Sequence, residues 1–140
     1  MNDLSSSEFH IEETPDCLVF TITRPKRLNA ITVAVLDGLE HCITQLENSS
    51  DNRGLIVTAE GERAFCAGTD LFERDKLSEQ QRAAKSDRAR NLLVRLYRAP
   101  FISIAALNGL AFGGGLELAM ACTFRIAAPH VECSLPEVKI

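Results

Sequence analysis

Residues Ala106–Cys122 read ALNGLAFGGGLELAMAC. An apolar run meets an Asn-Gly turn, three consecutive glycines follow, and a helix-forming segment rich in Leu and Ala closes the stretch. Phe101–Leu107 reads as a buried strand and LELAMAC as a helix, so the glycines lie where a strand gives way to a helix. The first N–H groups of such a helix lack intrahelical acceptors and sit at the positive end of its dipole. Glycine there lets another group approach the backbone closely. A plainer reading is that these glycines only make tight turns and close helix packing.

Working outward, the same strand-to-helix grammar recurs. On the N-terminal side, Gly54–Ala59 (GLIVTA) is a short, continuously apolar run, the pattern of a buried parallel strand. Glu60–Thr69 is a loop of small residues, AFCAGTD occupies 64–70, and Asp70 with Glu73 resembles a capping box that opens the next helix. That polar helical stretch runs to about Tyr97, with a break near Leu77-Ser78. Earlier still, Phe9–Glu13 and Cys17–Thr23 read as strands around the Thr14-Pro15-Asp16 turn. The segment 24–29 is a loop. Thr32 N-caps a helix over Thr32–Asn48, in which Leu36, Leu39, Ile43 and Leu46 recur at helical spacing. Beyond the glycines, Thr123–Ala127 is a further strand. Strands alternating with helices predict an α/β architecture with parallel pairing.

Composition excludes several classes. The 140 residues suffice for one domain, and 46% hydrophobic with 24% charged residues is ordinary globular usage. A net charge of −4 supplies no basic field for nucleic acid or anionic lipid. The N-terminus carries neither a basic nor an apolar leader region, and the longest apolar run is far short of the ~20 residues of a membrane span. Five cysteines without a C-x-x-C pair fit free thiols in a reducing compartment, so the expectation is a cytoplasmic protein. The histidines and cysteines lack metal-ligand spacing, and no G-x-G-x-x-G or G-K-[ST] phosphate loop occurs. Cys66 has no motif partner histidine and reads as small apolar packing. Lys85, Arg88, Arg95 and Arg98 fall on one helical stripe, read as a solvated face.

Two carboxylates stand out. Glu117 is in the first turn of the helix after the glycines, where a carboxylate also favours the dipole. Glu137 follows Pro136 in LPEVK. They are 20 residues apart, so spacing alone cannot pair them.

The strings RPKRLNAI (24–31), AFCAGTDL (64–71), ALNGLAFGGGLELAMAC (106–122) and SLPEVK (134–139) occur in that order, and together they resemble the enoyl-CoA hydratase/isomerase, or crotonase, family. The resemblance spans about Thr21 to Ile140. It implies a partial crotonase domain over 1–140, built as a spiral of ββα units that stops before the C-terminal helical region, with residues 1–7 flexible. It implies an oxyanion hole from the backbone N–H groups of Thr69 and Gly114, with Glu117 and Glu137 as acid–base groups. Coenzyme A would lie along Lys26, Arg27 and Leu28 and along Ala64, Ala67, Gly68 and Asp70. Many relatives have Ala at the position of Thr69 and lysine at that of Phe72. Members with both glutamates include the hydratases, so the expected activity is addition of water to the 2,3 double bond of an acyl-CoA substrate. Isomerisation, or a non-catalytic fragment, are the alternatives. No cofactor or metal is implied, no nucleic-acid or membrane partner is expected, and a full-length relative would form a homotrimer or dimer of trimers.

Overall fold

The structure is a computed structural model and describes residues 6–136. Its first layer follows from period-two alternation. In β2 (Cys17–Ile22), Leu18, Phe20 and Ile22 are buried; in β3 (Gly54–Ala59) the buried residues are Leu55, Val57 and Ala59. The two strands are parallel with Leu18 opposite Leu55 and Phe20 opposite Val57, so the buried sets share a face. β1 (Phe9–Glu13) flanks β2 antiparallel, and β5 (Ser103–Leu107) and β7 (Phe124–Ala127) continue the sheet in parallel, giving the order β1-β2-β3-β5-β7.

Helix α1 (Val33–Glu47) covers this sheet with Leu36, Leu39, Ile43 and Leu46, the positions its periodicity predicts, and Thr32 caps it through the Val35 N–H. Helix and strands meet closely at Gly38. A Cβ there would lie 2.7 Å from the Phe20 ring and 2.8 Å from the Phe9 ring.

The second layer is where the sequence reading needs correction. Within the 60–69 loop lies β4 (Ala64–Cys66). It joins β6 (Leu110–Phe112) and β8 (Cys133–Ser134) in a separate parallel sheet of order β4-β6-β8. Strands of two or three residues are too short to show a period, so nothing local announces them. Each turn of the chain lays one strand in the large sheet and the next in the small one: β3 then β4, β5 then β6, β7 then β8. The chain therefore advances as a spiral of ββα units.

The polar stretch after Asp70 divides as expected into α2 (Leu71–Lys76) and α3 (Glu79–Tyr97), with Ser78 and Gln81 forming the capping box of α3. The cationic stripe of α3 is only partly a solvated face: Arg98 is exposed, but Lys85 is buried. Arg88 pairs with Asp37 and Glu40, and Arg95 with Glu40 and Glu47. These two arginines fasten α3 to α1. Of the residues expected to be flexible, 1–5 lie outside the described residues, while the Ser7 carbonyl accepts a hydrogen bond from the Thr23 hydroxyl.

Helix α4 (Gly114–Ala121) rests directly on β4. A Cβ at Gly115 would come within 2.0 Å of the Cys66 carbonyl oxygen, so the third glycine of the run is a packing requirement. Gly115→Ala is therefore expected to lower unfolding free energy by about 3 kcal/mol or more. Urea unfolding followed by circular dichroism measures it, and a change below about 1 kcal/mol would contradict this packing.

Candidate active site

The site is built on a strap that runs from Arg24 to Ile31. Its backbone enters the left-handed region twice in succession, at Leu28 and Asn29, both with φ 53°. Asn tolerates that conformation, whereas Leu is strained by roughly 1–2 kcal/mol. The strap holds because the Asn29 side chain is fully buried and fully used. Its Oδ1 accepts the Arg24 N–H at 2.8 Å, and its Nδ2 donates to the Glu60 and Ala64 carbonyls at 3.0 and 2.7 Å. Asn108 adds a second donor to Ala64 at 3.0 Å. These amides tie the strap to β4 and to the turn after β5.

Ile31 then pairs with Thr69 as a parallel bridge. The Ile31 N–H donates to the Gly68 carbonyl at 2.7 Å, and the Ile31 carbonyl accepts the Asp70 N–H at 3.0 Å. In a parallel pairing, the residue whose neighbours make the bonds turns its own N–H to the opposite side. The Thr69 N–H therefore points away from the strap. Gly114 opens α4, and the two backbones run side by side: a Cβ at Gly68, where φ is +104°, would lie 3.4 Å from the Gly114 nitrogen. Among the described residues, neither the Thr69 nor the Gly114 N–H has a protein acceptor.

Both residues face a cavity of about 550 Å³, which Glu117 also lines. Apolar residues of α1 and α4, among them Val35, Leu36, Leu39 and Leu118, line it together with α3, which brings both apolar and basic side chains. The Glu117 carboxylate is exposed to the cavity and makes no ion pair among the described residues. Two unpaired N–H groups, one at a helix N-terminus, with a free carboxylate beside them form an arrangement able to hold a carbonyl oxygen and move a proton next to it.

The family model for enoyl-CoA hydratase/isomerase matches residues 12–140. The chain belongs to this family. It is 35% identical over 128 residues to the short-chain-enoyl-CoA hydratase of Clostridium acetobutylicum, covering 91% of this chain and 49% of that protein. It is also 35% identical over 129 residues to the mitochondrial methylglutaconyl-CoA hydratase of Mus musculus, covering 92% of this chain and 41% of the relative. The crystal structure of an enoyl-CoA hydratase from Bacillus anthracis superposes with a TM-score of 0.87 at 35% identity, covering 94% of this chain and 52% of that one. The chain thus spans about half the length of the relatives it matches.

With the crotonase fold in place, the expected site residues divide into three groups. Thr69, Gly114 and Glu117 come together at the cavity. Lys26 and Arg27 are exposed on a single 3-10 turn, Leu28 follows it, and the Ala67 N–H donates to the Leu28 carbonyl at 3.0 Å, so the two segments expected to line coenzyme A are adjacent. The Arg27 guanidinium lies 4.0 Å over the Phe72 ring, a cation–π contact that places its charge beside this segment. Glu137 lies outside the described residues.

Asp70 and Ala64 are both buried and engaged within the protein. The Asp70 carboxylate receives Arg24 at 2.8 Å and the Glu73 N–H at 2.8 Å, and its own N–H is bonded to Ile31. The Ala64 carbonyl accepts from two asparagine amides. The Asp70–Glu73 capping box is also only half formed, because Glu73 turns its carboxylate to the Val33 N–H instead. Cys66 is fully buried and its thiol is pushed up to about 12, chiefly by desolvation, which removes it as a nucleophile. The sequence assigns no separate role to Ile31 or Asn29 and reads Lys85 as part of a solvated face, because one cation on a polar helix carries no sign of its buried partners.

Burial of Asp70 opposes its charge, but the Glu73 N–H and the Arg24 guanidinium outweigh it and hold the carboxyl below its usual value. A depressed folded-state pKa gives stability that is complete above the unfolded value of about 4 and is lost as pH falls below it. Asp70→Asn is expected to cost about 2 kcal/mol at pH 7 and to flatten the loss of stability between pH 4 and pH 2. Urea midpoints of both proteins across that range measure this; parallel curves would overturn the assignment.

Proposed function

We propose that the chain carries the catalytic core of an enoyl-CoA hydratase, adding water across the 2,3 double bond of an acyl-CoA thioester. The observation that carries this reading is the convergence of two unpaired N–H groups, on Thr69 and Gly114, at a cavity that also receives the Glu117 carboxylate. The thioester carbonyl oxygen would accept from both amides. As hydroxide character develops on the attacking water and the new C–O bond forms at Cβ, negative charge moves onto that oxygen as an enolate, where preorganised donors act most strongly. Glu117 would take the proton from water, and Glu137, in the SLPEVK motif, would return a proton to Cα, so that one H and one OH are added in total. Two of the relatives bear the name hydratase, which supports hydration as the reaction.

The apolar lining residues Val35, Leu36, Leu39 and Leu118 suit an acyl chain, and the exposed Lys26 and Arg27 suit the phosphates of coenzyme A. The backbone donors cannot be deleted by ordinary substitution, so the glutamate gives the sharper test. Glu117→Gln keeps the shape and removes the base. Hydration of crotonyl-CoA, followed by loss of the enoyl-thioester absorbance, should fall by about 10²–10⁴, with KM changed little. Unchanged hydration would refute the two-glutamate mechanism. Double-bond migration that persists in Glu117→Gln while hydration is absent in both proteins would instead identify an isomerase working through Glu137.

A further inference from the structure

We propose that Lys85 is a positioning residue that sets the direction of the Thr69 amide; the inference rests on the oxyanion-hole reading above. A lysine in the interior is uncommon, because its ammonium must be both hydrogen-bonded and paired to remain charged there. Lys85 is 9% exposed, and its Nζ reaches out of α3 to the Ile31 carbonyl at 2.8 Å and to Glu73 Oε1 at 3.0 Å. That carbonyl is the one that accepts the Asp70 N–H, and Ile31 is the residue whose N–H holds Gly68. The peptides before and after Thr69 are thus both pinned to Ile31, and Lys85 pins Ile31.

The Glu73 partner closes the loop. Its carboxylate accepts the Val33 N–H at 3.0 and 3.3 Å, so Lys85 and Glu73 together bind the strap on both sides of Thr32. Anchoring α3 does not require this. Arg88 and Arg95 already fasten that helix to α1 through side-chain carboxylates. Lys85 differs in ending on a backbone carbonyl within one hydrogen bond of the Thr69 peptide. It also lines the cavity that Thr69 faces.

A misplaced oxyanion donor weakens only the interaction that grows in the transition state, so the effect should appear in kcat and leave KM nearly unchanged. Lys85→Met in the 140-residue chain is expected to lower kcat for crotonyl-CoA by roughly tenfold to a hundredfold, below the 10²–10³ of losing a donor outright, with KM within about twofold. Arg88→Met is the control. It loosens the same helix and lowers Tm, but should leave kcat unchanged. Glu73→Gln keeps an acceptor for Val33 and removes the charge that holds Lys85, so it should lower kcat in the same sense; it decides the matter if Lys85→Met does not fold. A normal kcat in a folded Lys85→Met or Glu73→Gln chain overturns the inference and leaves the proposed function standing. Equal losses in Arg88→Met and Lys85→Met also overturn it, since they would mark a general loosening of α3. Absence of both turnover and acyl-CoA binding in the unmodified chain removes the proposed function, and this inference with it.

Discussion

The Ile31–Thr69 bridge is the contact on which the site depends. Two hydrogen bonds, at 2.7 and 3.0 Å, join segments far apart in sequence and leave one peptide N–H facing a cavity. Among the described residues, four of the five buried polar ones, Asn29, Thr32, Asp70 and Lys85, lie on or beside this strap. Buried polar groups cost free energy unless every donor and acceptor is met, so their concentration here is informative. Asn29 fixes the turn, Arg24 and Asp70 fix the start of α2, and Thr32 begins α1. The apolar core could exist without them. The geometry of the amide could not.

The rest of the fold explains how that strap is held rigid. The large sheet and α1 supply the apolar mass, with Phe20, Ile22, Ile43, Leu55 and Val57 all fully or nearly fully buried. The small sheet supplies position. β4 and β6 are each three residues long and stabilise little by themselves, yet each delivers the chain to a site segment: β4 to Gly68-Thr69, and β6 to Gly113-Gly114. Because they are parallel neighbours, the two site segments emerge on the same edge, where α4 can rest against Cys66 through Gly115. A backbone donor pair of this kind is insensitive to side-chain identity, because neither N–H belongs to a side chain.

Legibility in the sequence followed the range of the interactions. Elements stabilised by their own pattern were readable nearly to the residue: α1 from its Leu and Ile spacing and Thr32 cap, β3 from its apolar run, and the break between α2 and α3 from Leu77-Ser78. The capping motif at Asp70 was half readable, since Asp70 bonds locally to the Glu73 N–H while the Glu73 carboxylate leaves for Val33 across the fold. Among the site residues, Thr69, Gly114 and Glu117 were placed by motif resemblance, and the structure brings these three to one cavity. The internal hydrogen bonds of Asp70 and Ala64 are not legible from the motif, because adjacency in a motif does not say which way a group faces.

What the sequence by itself determined is the order of the helices and of the five strands of the large sheet, the family through four motifs in register, and the residue types available for acid–base chemistry. These rest on local periodicity and on short strings, which need no knowledge of distant neighbours. Only the tertiary structure decided that the loop before Asp70 contains a strand and that the Thr69 N–H turns away from its partner. It alone showed that one lysine of a charged helix is buried against a backbone carbonyl. Each of these depends on a hydrogen bond between residues remote in the chain, and a two- or three-residue strand or a single cation carries no periodic trace of such a partner.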